Sequence, residues 1–236
     1  MQIPSSNIPL AERMRPRTLT EFIGQEHLVA PGKVLEQMIH ARKAHSIIFW
    51  GPPGVGKTTL AQIIAHSLDM PFFTLSAIDS GVKEVRAIIE QARKAGHALL
   101  FIDEIHRFNK TQQDSLLGAV EKGTLTLIGA TTENPSFEVI SALLSRCQVY
   151  ILKPLSEDNL VALVDNAMQK DDWLKRQQVQ ITEWGALLQL SGGDARRLLN
   201  LLELVVSSMP GPQRIITNDI VQEAVQNKMA LYDKSV

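Results

Sequence analysis

The chain has 236 residues, which is the length of one domain or of two small ones. Apolar residues make up 44% of it and charged residues 21%, so the composition excludes an intrinsically disordered or collagen-like chain. The 24 basic and 25 acidic residues give a formal net charge of −1, which excludes nucleic-acid binding by bulk positive charge but not by a local basic patch.

The sequence also lacks the marks of a secreted or membrane protein. Its single cysteine, Cys147, cannot form a disulfide framework or a thiolate zinc site within one chain, which favours a reducing environment. The longest apolar runs, among them Ala98 to Ile102, are far shorter than the roughly 20 residues of a membrane-spanning helix. Met1 to Pro4 do not resemble the start of a secretory signal. We therefore expect a soluble cytoplasmic protein without a membrane partner.

Short apolar runs and amphipathic stretches alternate after a proline-broken lead-in at 1–46, in which only 34–44 is predicted to be helical. Strands are predicted over 47–50, 72–75, 98–102, 124–130 and 148–152. Helices are predicted over 57–68, 82–92, 109–120 and 136–144. This alternation predicts an α/β fold with a five-stranded parallel sheet flanked by helices.

The pattern changes after Pro154, where no convincing strand remains. Helical spacing of apolar residues recurs over 160–167 and 184–190, and Asp194 is suited to cap a further helix. Pro210 to Pro212 form a predicted turn, and Thr217 to Asp219 open a last helix. We therefore predict an α/β domain at 1–153 and a small all-helical domain at 154–236.

The strongest chemical signal is a glycine-rich segment between the first strand and the helix that follows it. Two glycines four residues apart, followed by Lys and Thr, match the P-loop, whose backbone N–H groups cradle phosphates at a helix N-terminus. A chance glycine-rich turn is the alternative, and the strand-to-helix setting disfavours it. The predicted nucleotide-binding residues here are Gly51, Pro52, Pro53, Gly54, Val55, Gly56, Lys57, Thr58 and Thr59.

Two carboxylates, Asp103 and Glu104, follow the apolar strand at 98–102. An aspartate at this end of a strand is placed to coordinate Mg²⁺ in a P-loop ATPase, and the adjacent glutamate is suited to polarise an attacking water. The alternative is a solvated acidic turn, which the preceding P-loop disfavours. A protein that only binds a nucleotide, or a small-molecule kinase, does not need such a glutamate.

Three further polar features remain ambiguous from position alone. The strand ending at 131–134 presents hydroxyls and an amide that can orient a water or simply form a turn. Arg146 is interpretable as a surface cation, and Arg196 as one partner of a surface salt bridge or of an anion. The six histidines, among them His106, have no spacing that predicts a transition-metal site.

Taken together, the motifs resemble the clamp-loader clade of AAA+ ATPases. They are Pro-Pro-Gly within the P-loop, Phe-Ile-Asp-Glu at 101–104, Gly-Ala-Thr-Thr-Glu-Asn-Pro at 129–135, Leu-Ser-Arg-Cys at 144–147 and Gly-Asp-Ala-Arg-Arg at 193–197. The stretches at 10–16, 80–86, 105–114 and 129–137 are similar to the replication-associated recombination protein A family, whose eukaryotic relative is the Werner-helicase-interacting ATPase. The resemblance extends from about Pro9 to Tyr232.

This resemblance implies roles that spacing alone does not provide. ATP and Mg²⁺ are the implied cofactors, with Thr58 and Asp103 as metal ligands. Thr132 is similar to the sensor that contacts the γ-phosphate, Arg146 to an arginine finger offered to a neighbouring subunit, and Arg196 to a second sensor on the helical lid. The implied adenine-packing residues are Arg15, Pro16, Phe22, Ile23 and Gly24.

The resemblance implies a DNA-dependent ATPase that remodels DNA at stalled forks or single-strand–duplex junctions, nucleoid-associated in a bacterium. It implies homo-oligomers, with single-strand-binding protein or other replisome components as partners. Family members continue into an oligomerisation domain, so a chain ending at Val236 is expected to be an ATPase fragment with weak turnover.

Three alternatives remain open at the level of the sequence. The first is a clamp-loader subunit or branch-migration motor, the second is a nucleotide-gated interaction module, and the third, more distant, is a nucleotide kinase. Candidate DNA contacts, each alternatively a solvated charge, are Lys83, Arg86, Arg107 and Lys110.

Overall fold

The computed structural model describes residues 7–211 and 214–233, with side chains described as far as 228. Residues 1–6, 212, 213 and 234–236 therefore lie outside the described residues, including Met1 to Pro4, Pro212 of the predicted turn and the predicted domain end at Val236.

The described chain contains thirteen α-helices and seven strands. The strands are β1 (Ile47–Trp50), β2 (Phe72–Ser76), β3 (Ala98–Asp103), β4 (Leu125–Thr131), β5 (Gln148–Ile151), β6 (Val179–Ile181) and β7 (Arg214–Ile216). The helices are α1 (Leu10–Arg13), α2 (Glu26–Val29), α3 (Val34–His40), α4 (Lys57–Ser67), α5 (Val82–Ala95), α6 (Lys110–Glu121), α7 (Pro135–Glu138), α8 (Ser141–Leu144), α9 (Glu157–Lys170), α10 (Asp172–Arg176), α11 (Gly185–Ser191), α12 (Ala195–Ser208) and α13 (Asn218–Asp233).

Contacts divide the described residues into two compact units, one at 16–154 and one that joins 155–211 and 214–233 to residues 7–15. The boundary between Pro154 and Leu155 lies one residue after the predicted boundary between Lys153 and Pro154. The N-terminal segment, including α1, differs from the prediction because it packs with the helical unit rather than with the α/β unit.

The α/β unit contains the predicted five-stranded parallel sheet, in the order β2-β3-β4-β1-β5. Apolar residues alternate between its faces, so that Ile48 and Leu100 pack in one core with α5 and α6, while Phe49 and Phe101 pack in another with α3 and α4. Both faces are covered, which explains why β3 and β4 are apolar almost throughout. Because β3, β4 and β1 are neighbours, the segments that follow them meet at one edge of the sheet.

The helical unit has its own apolar core, to which α9, α11, α12 and α13 contribute. It is not entirely helical, because β6 and β7 pair in parallel as a small second sheet that the sequence pattern did not predict. Among the described residues, no helix combines the length and apolarity needed to cross a membrane.

An arginine fixes the N-terminal segment to this helical unit. The Arg13 guanidinium donates to both carboxylate oxygens of Asp171, at 2.7 and 3.2 Å, and to Glu203 Oε1 at 2.9 Å. It also lies 6.0 Å from the centre of the Trp173 ring. The backbone N–H of Leu10 donates to the same Glu203, so α1 and α12 share one ion-pair network.

Burial alone would raise the pKa of the Asp171 carboxyl, but hydrogen bonds from Arg13 and the Leu174 N–H outweigh it and hold this pKa below its ordinary value. A depressed pKa stabilises the fold above the unfolded value, and this stability is lost as the pH falls through the folded value. We therefore expect Asp171→Asn to lower the free energy of unfolding by about 2 kcal/mol at neutral pH and to flatten its decline below about pH 4.

Urea unfolding of the wild type and the variant across pH 3 to 7 measures this effect. Asp172→Asn is the matched control, since the Asp172 side chain is 85% exposed and its ion pair with Lys175 is 3.6 Å long. Such a pair contributes little, so the control should change stability by less than about 0.5 kcal/mol. Equal losses for the two variants would contradict the network.

Candidate active site

The P-loop lies between β1 and α4 and is held by the strands on both sides of β1. The Gly51 N–H donates to the carbonyl of Thr131 at the end of β4, at 3.1 Å, and the Leu152 N–H after β5 donates to the Trp50 carbonyl at 2.8 Å. A Cβ on Gly51 would lie 2.4 Å from the Leu152 carbonyl oxygen, so this approach requires glycine. The start of the loop is therefore fixed by backbone contacts.

The Lys57 side chain is drawn into the loop that precedes it. Its ammonium donates to the carbonyls of Gly51 at 2.6 Å and Pro52 at 2.8 Å, and the residue is only 7% exposed. Lys57 begins α4, directly after Gly56, whose φ of +98° is a conformation that favours glycine. A buried positive charge and a helix N-terminus thus converge on the interior of the loop, an arrangement suited to binding an anion.

Part of the predicted adenine-packing lead-in contacts the P-loop. A Cβ on Gly56 would lie 2.5 Å from Cζ of Phe22, which places the phenyl ring against the loop. The chain then turns at Gly24, with a φ of +86°. Gln25 exchanges two hydrogen bonds with the backbone of Lys153, at 2.7 and 2.9 Å, and so fixes this turn beside the end of β5.

The remaining predicted adenine-packing residues belong to different units. Pro16 and Ile23 are half-buried and belong to the α/β unit. Arg15 belongs to the helical unit, where its guanidinium pairs with Glu12.

The two predicted carboxylates lie where β3 ends. Asp103 is the last residue of the strand, in register with Ser76 of β2, and is partly exposed. Glu104 follows with a φ of +54°, a left-handed conformation that is uncommon outside glycine. Its side chain is 28% exposed and lies 3.2 Å from Nε2 of His106. Uncommon backbone geometry at a carboxylate of this kind is typical of a functional site.

Two polar residues at this edge were not predicted as site residues. Thr131 is fully buried at the end of β4, and its hydroxyl lies 3.0 Å from Nδ1 of His106. The sequence offered a signal for Thr131, which belongs to the hydroxyl-rich strand end. The spacing of His106 from the other histidines gives no indication of this contact.

The predicted sensor residue Thr132 follows Thr131 and is half-buried at the same edge of the sheet. Asn134, the alternative at this strand end, caps α7 through a 3.0 Å hydrogen bond from the Ser136 N–H. Its side chain therefore serves the turn, which leaves the threonines as the polar groups that β4 presents here.

Arg146 lies at the opposite edge of the sheet from the P-loop. It precedes β5, and β5 runs parallel to β1 with Gln148 opposite Ile47, so Arg146 is near the amino-terminal end of β1. The P-loop leaves the carboxyl-terminal end of β1, after roughly 13 Å of strand. The guanidinium is exposed, pairs with Glu121 at 2.5 Å and donates to the Ala142 carbonyl at 2.5 Å.

The second predicted sensor, Arg196, is exposed in the first turn of α12 in the helical unit. The cap predicted for this helix is present, since the Asp194 carboxylate accepts from the Arg197 N–H at 2.9 Å.

The site offers oxygen ligands of the kind that a divalent cation prefers. No group of three or more His, Cys, Asp or Glu side chains suited to a metal ion occurs among the described residues. Thr58 and Asp103 supply a hydroxyl and a carboxylate, which are hard oxygen donors that suit Mg²⁺ when phosphate and water complete its coordination. The residues present therefore fit a magnesium ion that arrives with a nucleotide.

Comparison with protein families gives two consecutive matches. The family described as "ATPase family associated with various cellular activities (AAA)" matches residues 47–155. The family described as "AAA C-terminal domain" matches residues 175–236. The first match covers β1 to β5 with the P-loop and both carboxylates, and the second lies in the helical unit.

Comparison with individual proteins gives relatives and a solved structure. Replication-associated recombination protein A of Escherichia coli (strain K12) is 46% identical over 235 residues, which are 95% of this chain and 53% of that protein. ATPase WRNIP1 of Dictyostelium discoideum is 43% identical over 206 residues, 85% of this chain and 24% of that protein. The chain therefore spans about half the length of the bacterial relative and about a quarter of the length of the Dictyostelium relative. The solved Holliday junction branch migration motor RuvB of Thermotoga maritima superposes with a TM-score of 0.74 at 29% identity, over 90% of this chain and 72% of that one.

Proposed function

The chain belongs to the ATPase family associated with various cellular activities, as a relative of replication-associated recombination protein A, and we propose that it is a DNA-dependent ATPase. Its work would be to remodel DNA at stalled replication forks or at junctions of single-stranded and duplex DNA. The observation that carries this proposal is the meeting of a lysine-bearing P-loop with a carboxylate pair at one sheet edge.

In this proposal each side chain at that edge has one role. Lys57 and the N–H groups of the loop bind the phosphates, with the lysine exchanging its carbonyl partners for phosphate oxygens. Glu104 accepts the proton of the attacking water, and Thr132 orients that water against the γ-phosphate. Mg²⁺, held by Thr58 and Asp103, would neutralise charge on the β- and γ-phosphates. Phe22, Ile23 and Gly24 pack around the adenine.

Assembly into homo-oligomers is part of the proposal. Arg146 and the P-loop lie at opposite edges of one sheet, so the guanidinium of one chain would serve the nucleotide of a second. Arg196 would act as a second sensor of the phosphates. Single-strand-binding protein or other replisome components would be further partners.

Exposed cations at the carboxyl ends of β2 and β3, interspersed with the exposed carboxylates of Asp79 and Glu84, support DNA as the substrate. The Gln112 side chain donates to the Ser80 carbonyl at 2.8 Å, which brings the N-termini of α5 and α6 together. Helix N-termini attract phosphate. Around these two termini lie four exposed cations, all in the α/β unit: Lys83, Arg86, Arg107 and Lys110.

The test is to measure ATP turnover with a fork, with a four-way junction, with duplex DNA and without DNA. The same measurements on Glu104→Gln give the turnover that does not depend on the proposed site. We expect turnover to rise with the fork, and the affinity for the fork, taken from its half-stimulating concentration, to fall with added salt by about 0.9 log unit per log unit for each phosphate contact. Lys110→Ala should reduce the magnitude of this slope by about 0.9, the contribution of one phosphate contact. Lys122→Ala, at the other end of α6, is the matched control and should not.

Turnover that no DNA changes would contradict the proposed substrate, whereas turnover that survives Glu104→Gln would contradict the proposed site. Preference for the four-way junction would favour a second candidate function, branch migration, which the likeness to the branch-migration motor supports.

A further inference from the structure

A series of close polar contacts links Glu104 to the end of β4 through one imidazole ring. Nε2 of His106 lies 3.2 Å from Oε2 of Glu104, and Nδ1 lies 3.0 Å from Oγ1 of Thr131. The same Oγ1 accepts from the backbone N–H of Glu133 at 3.0 Å. The His106 side chain is only 12% exposed, so both of its ring nitrogens are used within the protein.

These partners favour one tautomer of a neutral ring. An ionised Glu104 carboxylate can only accept, so Nε2 is the nitrogen that carries the proton toward it. Nδ1 then accepts from the Thr131 hydroxyl, which accepts from the Glu133 N–H and has the Glu133 carbonyl, at 3.2 Å, as its other acceptor. In this arrangement the donors point toward the carboxylate, and a hydrogen bond to an ionised acceptor is about twice as strong as a neutral one.

Thr131 connects this series to the phosphate site. Its carbonyl accepts from the Gly51 N–H at 3.1 Å, while its hydroxyl contacts His106. One fully buried residue therefore fixes both the start of the P-loop and the ring that holds Glu104. The predicted water-orienting residue, Thr132, is the next along the chain.

Glu104 needs such a partner. Its left-handed backbone costs about 1 kcal/mol for a residue other than glycine, and its partly exposed side chain has three rotatable bonds. A general base acts efficiently only when it is held at hydrogen-bonding distance from the proton it accepts. His106 lies in the 3₁₀ turn Ile105–Arg107 that directly follows, so the turn itself carries the restraint.

We propose that His106 is a positioning residue, which orients the Glu104 carboxylate and ties it to Thr131 and the P-loop. The inference rests on the proposed function, in which Glu104 polarises the attacking water. Losing the restraint should lower kcat by about 10- to 100-fold, because a misplaced base is a poor one. The affinity for nucleotide should not change, since His106 does not line the P-loop.

Substitutions that retain one ring nitrogen at a time test this. His106→Gln keeps a donor near Nε2 and the contact with Glu104, and should retain most of kcat. His106→Asn keeps a group near Nδ1 alone and should lose 10- to 100-fold. Thr131→Val should lose part of kcat, and Thr131→Ser little. His97→Asn is the matched control, because His97 contacts Thr126 of the same strand at 3.1 Å without contacting Glu104.

The second measurement is the imidazole ¹⁵N spectrum of the histidine-labelled chain without nucleotide, with His106 assigned from its absence in His106→Gln. We expect an unprotonated Nδ1 whose signal shifts in Glu104→Gln and in Thr131→Val. Binding of a fluorescent ATP analogue should stay within twofold in every His106 variant.

The outcomes separate the two proposals. If Glu104→Gln turns over ATP as fast as the wild type, the proposed function is wrong. The ¹⁵N spectrum still tests the contacts of His106 in that case. A His106 signal that neither variant moves overturns the inference, and so does a kcat in His106→Asn equal to that of the wild type. A parallel loss of nucleotide affinity and kcat would also overturn it, since it indicates a structural role.

Discussion

Replacing Lys57 by alanine is expected to lower ATP turnover by on the order of a hundred- to a thousandfold and to weaken ATP binding. The ammonium is the buried positive charge of the loop, and it holds the carbonyls of Gly51 and Pro52. Its removal takes away the charge that phosphate oxygens require and leaves those carbonyls without this donor. Both binding and hydrolysis therefore depend on it.

Glu104→Gln separates these effects, because the amide keeps the shape of the carboxylate but cannot accept a proton from water. It should bind ATP as the wild type does while losing turnover. Lys94→Ala removes an exposed lysine at the end of α5 and should leave both quantities unchanged. Titration with a fluorescent ATP analogue and phosphate release measure the two quantities. Full turnover in Lys57→Ala would show that hydrolysis occurs at another site.

Much of the α/β unit was predictable because its signals are local. Each of the five strands of the main sheet is an apolar run between turn residues, and each runs parallel to its neighbours because a helix intervenes. Two helix predictions in this unit were wrong: α2 at Glu26–Val29 was not predicted, and in place of one helix over 136–144 the structure has α7 and α8, separated by Val139 and Ile140. Val139 is 5% exposed, Ile140 is half-buried, and the extended backbone at Val139 is a conformation that β-branched residues favour.

The features that were not predicted depend on distant parts of the chain. β6 and β7 have three residues each and are paired across more than 30 positions, so neither run is distinctive alone. The N-terminal segment joins the helical unit through Arg13, whose partners Asp171 and Glu203 lie 158 and 190 positions away. The bond from His106 to Thr131 likewise spans two elements. Sequence spacing predicts which strand end a side chain occupies, but not its partner.

Arg146→Ala is expected to lower ATP turnover by about a thousandfold while leaving ATP affinity within a few-fold of the wild type. The reason is geometric. The parallel register of β5 and β1 places Arg146 and the P-loop at opposite edges of the sheet, so the guanidinium does not face its own site. In the proposed function its contribution to hydrolysis would then come from a second chain, where its positive charge would stabilise the γ-phosphate during transfer.

Mixing two inactive variants distinguishes this arrangement from a structural defect. A Lys57→Ala chain lacks a working P-loop but keeps Arg146, and an Arg146→Ala chain keeps the P-loop. In a mixed assembly the second chain receives the arginine of the first, so turnover should recover above the sum of the separate variants. Glu121→Gln, which removes the ion-pair partner of Arg146, should retain turnover because the guanidinium stays available. Mixed assemblies that form without recovery would refute the trans arginine, since each then holds a complete set of groups and still fails.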